Sequence, residues 1–267
     1  MSETDETILT GTNDAKPKGH WLVLVAGVLV STALVLWAIR PTVSNVPSVS
    51  ERIVTTNNLK QIGLAFHNYD AKKGSLPLGA ICDDDGKPLL SWRVALLPYL
   101  DEQELYDQFK MDEPWDSPAN QPLIAKMPAV FASPKKPGDA HLGLTYYKVF
   151  VGENAVFGHT PQPDAEAAEG ESQNTWSIQK LYGSTRGISN LVFAVEAGHP
   201  VIWTKPDDLP LEENGPLPNL APLFPNEIYI LMGDGRVMTV NPTHESFEAA
   251  LRASIDPANP AMPLIDQ

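Results

Sequence analysis

A chain of 267 residues, 43% hydrophobic and 19% charged, is long enough for one globular domain of ordinary size with appendages. Its 19 Lys and Arg against 33 Asp and Glu leave a net charge of -14, which removes electrostatic attraction to a phosphate backbone, so nucleic acid is not an expected partner. A single cysteine, Cys82, excludes an intrachain disulfide and a Cys-rich zinc site, and 25 prolines predict long ordered loops rather than a helical bundle.

Residues 1–20 read as an acidic N-terminal tail. From Trp21 to Ile39 there are nineteen residues without a charge, eleven of them Leu, Val or Ile. At 1.5 Å rise per residue this run spans about 28 Å, close to a hydrocarbon core of about 30 Å, so it reads as a single transmembrane helix with Trp21 and Trp37 near the two interfaces. An uncleaved anchor is favoured over a signal peptide. Glu3, Asp5, Glu6 and Asp14 precede the run with no Lys or Arg among the first fourteen residues, and no A-x-A site follows it. Lys16 and Lys18 before the span balance Arg40 and Arg52 after it, so charge alone does not orient it.

Arg40-Pro41 ends that helix and opens a linker over 40–49. A second helix follows, with Ser50 as its cap, Leu59, Ile62, Phe66 and Tyr69 on one face, and Gly74 at its end. Residues 75–90 read as loop. SWRVALLPYL and DEQELYDQF then read as two short helical pieces parted at Pro98, with Asp101 and Glu104 in capping-box positions. Ser117-Pro118 starts a further helix ending near Met127.

Beyond this the pattern turns to strands: 129–132, 145–151, 191–195 and 201–204. Glu227 to Met232 and Arg236 to Val240 flank Gly233-Asp234-Gly235, a hairpin signal. Residues 160–175 are polar and acidic and predict a mobile loop, 206–225 carry six prolines and predict a second long loop, and a last helix runs from about Glu245 to Ser254. Helices first and strands afterwards imply an α+β domain, residues 50–267, with helices packed on a mainly antiparallel sheet.

NNLKQIGLAFHNYDAKKGSLPLGA (57–80) and LLSWRVALLPYLDEQELYDQFKMDEPWDSP (89–118) resemble the bacterial DUF1559 family, whose members are similar to type II secretion pseudopilins of the G type. The likeness continues in order through MPAVFASP, TYYKVFVG, RGISNLVFAVEA, WTKPDDLP and the GDG turn. It implies an N-terminal helix in the inner membrane, a pilin-like α+β domain outside, contacts with other envelope proteins, and no established catalysis. Two departures stand out. Lys18-Gly19 is followed by His20-Trp21-Leu22-Val23-Leu24, with Leu24 where a pilin-type precursor carries its intramembrane Glu. The His expected nine residues ahead of Asp-Gly is replaced by Phe224, counting back from Asp234.

Possible sites are few. Asp83-Asp84-Asp85-Gly86 could offer oxygens to calcium, but its spacing is not that of an EF-hand loop, and an exposed acidic turn is expected. His67, His141, His159, His199 and His244 show no metal-ligand spacing, and Ser184 and Ser189 sit in no nucleophile elbow. Asp207-Asp208 could act as acid and base; a solvated loop is the default. Trp115, Trp176, Trp203, Tyr146 and Tyr147 could line a glycan platform, with packing the preferred reading. No catalytic, cofactor or metal residue is assigned. The expected function is therefore a membrane-anchored, pseudopilin-like structural protein held in the lipid bilayer by residues 21–39, with an anchored module for calcium or a glycan as the alternative.

Overall fold

The computed structural model describes residues 49–158, 176–212 and 215–259, which belong to the compact unit Pro47–Gln267. The predicted membrane span, the tail before it, the linker as far as residue 48 and the acidic loop 160–175 lie outside the described residues. Among those described, no helix is long and apolar enough to cross a membrane.

Helix α1 covers Val49–Lys73. Its 25 residues rise through about 37 Å. Leu59, Ile62 and Phe66 fall on one face and are fully buried, as the spacing predicts, while Tyr69 is half-buried. Glu51 in the first turn and Lys72 and Lys73 in the last suit the helix dipole. Gly74 ends the helix because its φ of 79° continues the chain in the left-handed region, with its N–H donating to the Asp70 carbonyl at 2.7 Å.

The stretch expected as loop contains a hairpin, β1 (Ala80–Cys82) and β2 (Pro88–Ser91), closed by the acidic turn. Ser91 caps the short helix α2 (Trp92–Ala95), its hydroxyl accepting from the Arg93 N–H. The expected capping box does not form. Helix α3 (Gln103–Tyr106) starts after Glu102 with no side-chain cap, and Asp101 instead takes a φ of 61°. Residues 121–126 form a 3-10 helix rather than an α-helix, and the strand expected at 129–132 is a 3-10 turn over Ala129–Phe131. Pro128 before it supplies no N–H, and the Ala132 carbonyl accepts from Asn58 of α1.

The main sheet has the order β3-β5-β7-β8 and is antiparallel throughout. Its strands are β3 (Leu144–Lys148), β5 (Val192–Ile202), β7 (Ile228–Met232) and β8 (Val237–Val240). The two strands expected at 191–195 and 201–204 are one long β5, interrupted by a bulge: Thr145 pairs with Val201 but Tyr147 with Glu196. Between β3 and β5 the chain adds β4 (Phe150–Val151) and helix α4 (Ile178–Tyr182). Inside the second proline-rich loop, β6 (Leu209–Pro210) pairs parallel with β4.

Both faces of the sheet are covered. Along β7, Tyr229 and Leu231 join the α1-side core with Leu59, Ile62 and Phe66. Ile228, Ile230 and Met232 alternate to the other face and join Leu251 and Ile255 of α5 (Phe247–Ile255). Phe66 is the centre of the first core, with ring centroids 4.9 Å from Phe157, 5.1 Å from Trp92 and 5.9 Å from Phe193.

Candidate functional site

Two buried charged groups stand out against this apolar packing. The first is the pair Arg93 and Asp208. Arg93 points from the first turn of α2 into the protein, where its side chain is 0% exposed and that of Asp208 2% exposed. Asp208 accepts from Arg93 Nη2 at 2.8 Å and Nη1 at 3.2 Å, from the Trp92 indole at 3.1 Å and from the Val149 N–H at 3.0 Å. The rest of the guanidinium donates to the Tyr147 carbonyl and the Ser91 hydroxyl. Burial lowers the Arg93 pKa from its ordinary value, and the Asp208 carboxylate opposes that shift.

The expected solvated pair is therefore corrected in half. Asp207 does face solvent, bonded to Lys205 at 2.7 Å. Asp208 is turned inward because a guanidinium 115 residues earlier in the chain needs a counter-ion. The two carboxylates part company as adjacent residues of an extended segment do, and Asp208 carries four donors, three on Oδ1 and one on Oδ2. A cleft of about 290 Å³ opens beside them, lined by Gly79, Pro88, Val151, Gly158, Pro206 and Pro210 among others.

The second group is Glu196 on β5, which is 2% exposed. Its carboxylate accepts from Ser133 Oγ at 2.9 Å and Thr55 Oγ1 at 3.4 Å. Burial pushes its pKa up to about 7, while the two hydroxyl bonds pull the other way. Tyr147 lies beside it, its hydroxyl bonded by Asn58 Nδ2 at 3.3 Å. Sequence reasoning assigned Glu196 no role. The available signal was one carboxylate set in the otherwise apolar run LVFAVEA.

The remaining candidates are used by the fold itself. Asp83 closes the β1–β2 turn, its carboxylate accepting from the Lys87 N–H at 2.8 Å and its carbonyl from the Gly86 N–H at 3.0 Å. Among the described residues, no group of three or more His, Cys, Asp or Glu could hold a metal ion. His67 Nε2 lies 2.8 Å from the Gly233 carbonyl, so that nitrogen carries the proton, and His244 Nδ1 contacts Ser246. His141 ends a 3-10 helix, His199 sits exposed on the β5 bulge, and His159 lies outside the described residues.

Ser184 donates to the Leu181 carbonyl and accepts from the Gly187 N–H, while the Ser189 carbonyl receives Arg236. Trp203 and Tyr147 are fully buried, Tyr146 nearly so, and Trp115 and Trp176 pack half-buried against the core, so these aromatics form no open platform. Cys82 is a half-buried free thiol whose pKa burial raises to about 11.

One exposed feature remains on α1, where Val49, Ile53 and Leu64 stand on the side away from the sheet at 71%, 54% and 62% exposure. Asn57 and Lys60, also exposed, lie between Ile53 and Leu64 on the same side of the helix, so the three are separate apolar residues and not a continuous stripe.

The class defined so far is an α+β domain in which a long helix rides on an antiparallel sheet pinned by buried charged groups. The family model described as "Protein of unknown function (DUF1559)" matches residues 52–191, just over half of the chain, and the protein belongs to that family. The match runs from α1 to the residue before β5. Comparison with curated proteins gives no match, and comparison with solved structures gives none.

Proposed function

We propose that the protein is a single-pass, pseudopilin-like structural protein of the bacterial cell envelope, with residues 21–39 in the cytoplasmic membrane and the α+β domain on its outer side, in contact with other protein subunits. The observation that carries this reading is the uncharged run Trp21–Ile39, long enough to cross a bilayer, ahead of a short linker and the first helix of the domain. Family membership supports it, through the likeness of that family to pseudopilins. The reading assigns no catalysis: Asp208, Ser184 and His67 each serve a bond within the fold.

The test is fractionation of the producing cells, with a carbonate wash of the membranes and external protease on intact spheroplasts. Full-length protein that resists the wash and loses its domain to protease supports the reading. Full-length protein in the soluble fraction overturns it. N-terminal sequencing of the membrane form separates two versions: a start at Met1 or Ser2 marks a simple anchor, a start at His20 a processed pseudopilin.

A further inference from the structure

The two parts of α1 are held by different chemistry. From Leu59 onward the helix is seated by apolar side chains, with Leu59, Ile62, Ala65 and Phe66 all fully buried. Before Leu59 its buried residues are polar, Thr55 and Asn58, while Val49, Ile53 and Val54 are exposed. Thr55 donates to Glu196, and Asn58 to the Ala132 carbonyl and the Tyr147 hydroxyl. Arg52 pairs with Glu227 at 3.0 Å and Glu51 with Lys135 at 3.6 Å. The latter pairs are part exposed and contribute little against solvent.

Glu196 is the buried member of this set. Around it stand Thr55 and Asn58 from α1, Ser133 from the turn after Ala132, and Tyr147 and Tyr146 from β3, the Tyr146 hydroxyl being bonded to Asp139. The charged groups nearest in the chain are committed elsewhere, Arg52 to Glu227 on the edge of β7 and Lys135 to Glu51. A carboxylate held by two hydroxyls and no cation is costly to ionise while covered. Of the groups around it, Thr55 and Asn58 belong to the polar-tethered part of α1, which can move while the part from Leu59 onward stays seated by its own apolar contacts.

We infer that Glu196 is a pH-operated clasp: protonated, it holds residues 49–58 of α1 on the sheet, and ionised, it releases them while the helix beyond Leu59 stays in place. All its groups lie within residues 49–259, so it does not depend on membrane attachment. In the released form Glu196 meets water and regains an ordinary carboxyl pKa. The covered form binds a proton more tightly, so rising pH favours release. Between an ordinary value of 4.5 and a covered value of about 7, the opening constant rises about tenfold from pH 6 to pH 8.5 and levels off above that.

The experiment is hydrogen exchange by mass spectrometry on the full-length protein in detergent, corrected for the intrinsic pH dependence of exchange. Protection over residues 51–58 is expected to fall about tenfold from pH 6 to pH 8.5 relative to residues 60–70, and Glu196→Gln to abolish that difference. Unchanged protection in the native protein, or an equal fall in Glu196→Gln, overturns the inference. Should Glu196→Gln fail to fold, Ser133→Ala keeps the carboxyl and removes its nearer donor. The midpoint of the protection curve is then expected to move to higher pH, and an unmoved midpoint overturns the clasp.

Discussion

Replacing Asp208 by alanine isolates the physics of the buried pair. The substitution removes the acceptor for two guanidinium N–H groups, the Trp92 indole and the Val149 N–H. Arg93 keeps the Tyr147 carbonyl and Ser91 hydroxyl but loses the carboxylate bonded to it, at 0% side-chain exposure. Breaking a buried pair from one side costs about 3 to 5 kcal/mol, because a desolvated charge is left uncompensated. For a domain near 200 residues that lowers the melting temperature by roughly 6 to 20 °C. The double substitution Arg93→Met with Asp208→Leu removes both charges and keeps apolar volume, so it is expected to cost less than Asp208→Ala alone. Urea unfolding of Asp208→Ala, of the singles Arg93→Met and Asp208→Leu, and of their double variant, read by tryptophan fluorescence, measures the cost and the cycle. If Asp208→Ala costs under about 1 kcal/mol, or the double variant loses the sum of the two singles, the pair is not the desolvated unit described here.

Phe66→Ala empties the centre of a four-ring cluster and is expected to cost about 3 to 5 kcal/mol in urea unfolding, with Phe66→Leu losing much less. Glu196→Gln is expected to raise stability by roughly 1 to 3 kcal/mol at pH 8 and by nothing at pH 4. The folded carboxyl is raised to about 7, so its penalty is absent below the ordinary 4.5, grows between the two values and is complete above the higher one. Denaturant melts at the two pH values check the sign. A methyl group at Gly198 would collide with the Ala221 carbonyl, where the Gly198 N–H already donates to Leu220 at 2.7 Å. Gly198→Ala is therefore expected to destabilise by about 1 to 3 kcal/mol in thermal melts. Millimolar calcium is expected to leave the melting temperature unchanged, since Asp83 is spent on its own turn; a rise of several degrees would restore an ion site at Asp83-Asp84-Asp85.

What could be read from the amino-acid order was whatever is settled within a few turns of chain. The α1 stripe follows from spacings of three and four, and the β7–β8 hairpin from Gly235, whose φ of 85° only glycine adopts without strain. Elements decided by distant partners were not legible. Gly198 and Pro200 look like a break between two strands, yet β5 continues through them because the loop around Leu220 and Ala221 packs onto the bulge. The 129–132 run has strand-like composition, but β-propensity reports fit to a half-buried pleated surface, and this run closes a 3-10 turn whose following carbonyl, Ala132, is taken by Asn58. In the site, Lys205 to Pro210 reads as a wet loop until Arg93 is brought against it.

Asp208 and Glu196 carry the same functional group in nearly the same degree of burial, and their surroundings give them opposite duties. Asp208 meets a cation and four donors, so its charge is the condition on which Arg93 can be inside at all, and losing it costs the fold. Glu196 meets two hydroxyls and no cation, so its charge is what the fold resists. The first therefore fixes α2 against the β4–β6 end of the protein. The second leaves the beginning of α1, the part that leads back toward residues 21–39, dependent on pH. A rigid body with one conditional attachment at its entry helix follows from where two carboxylates find, or lack, a guanidinium.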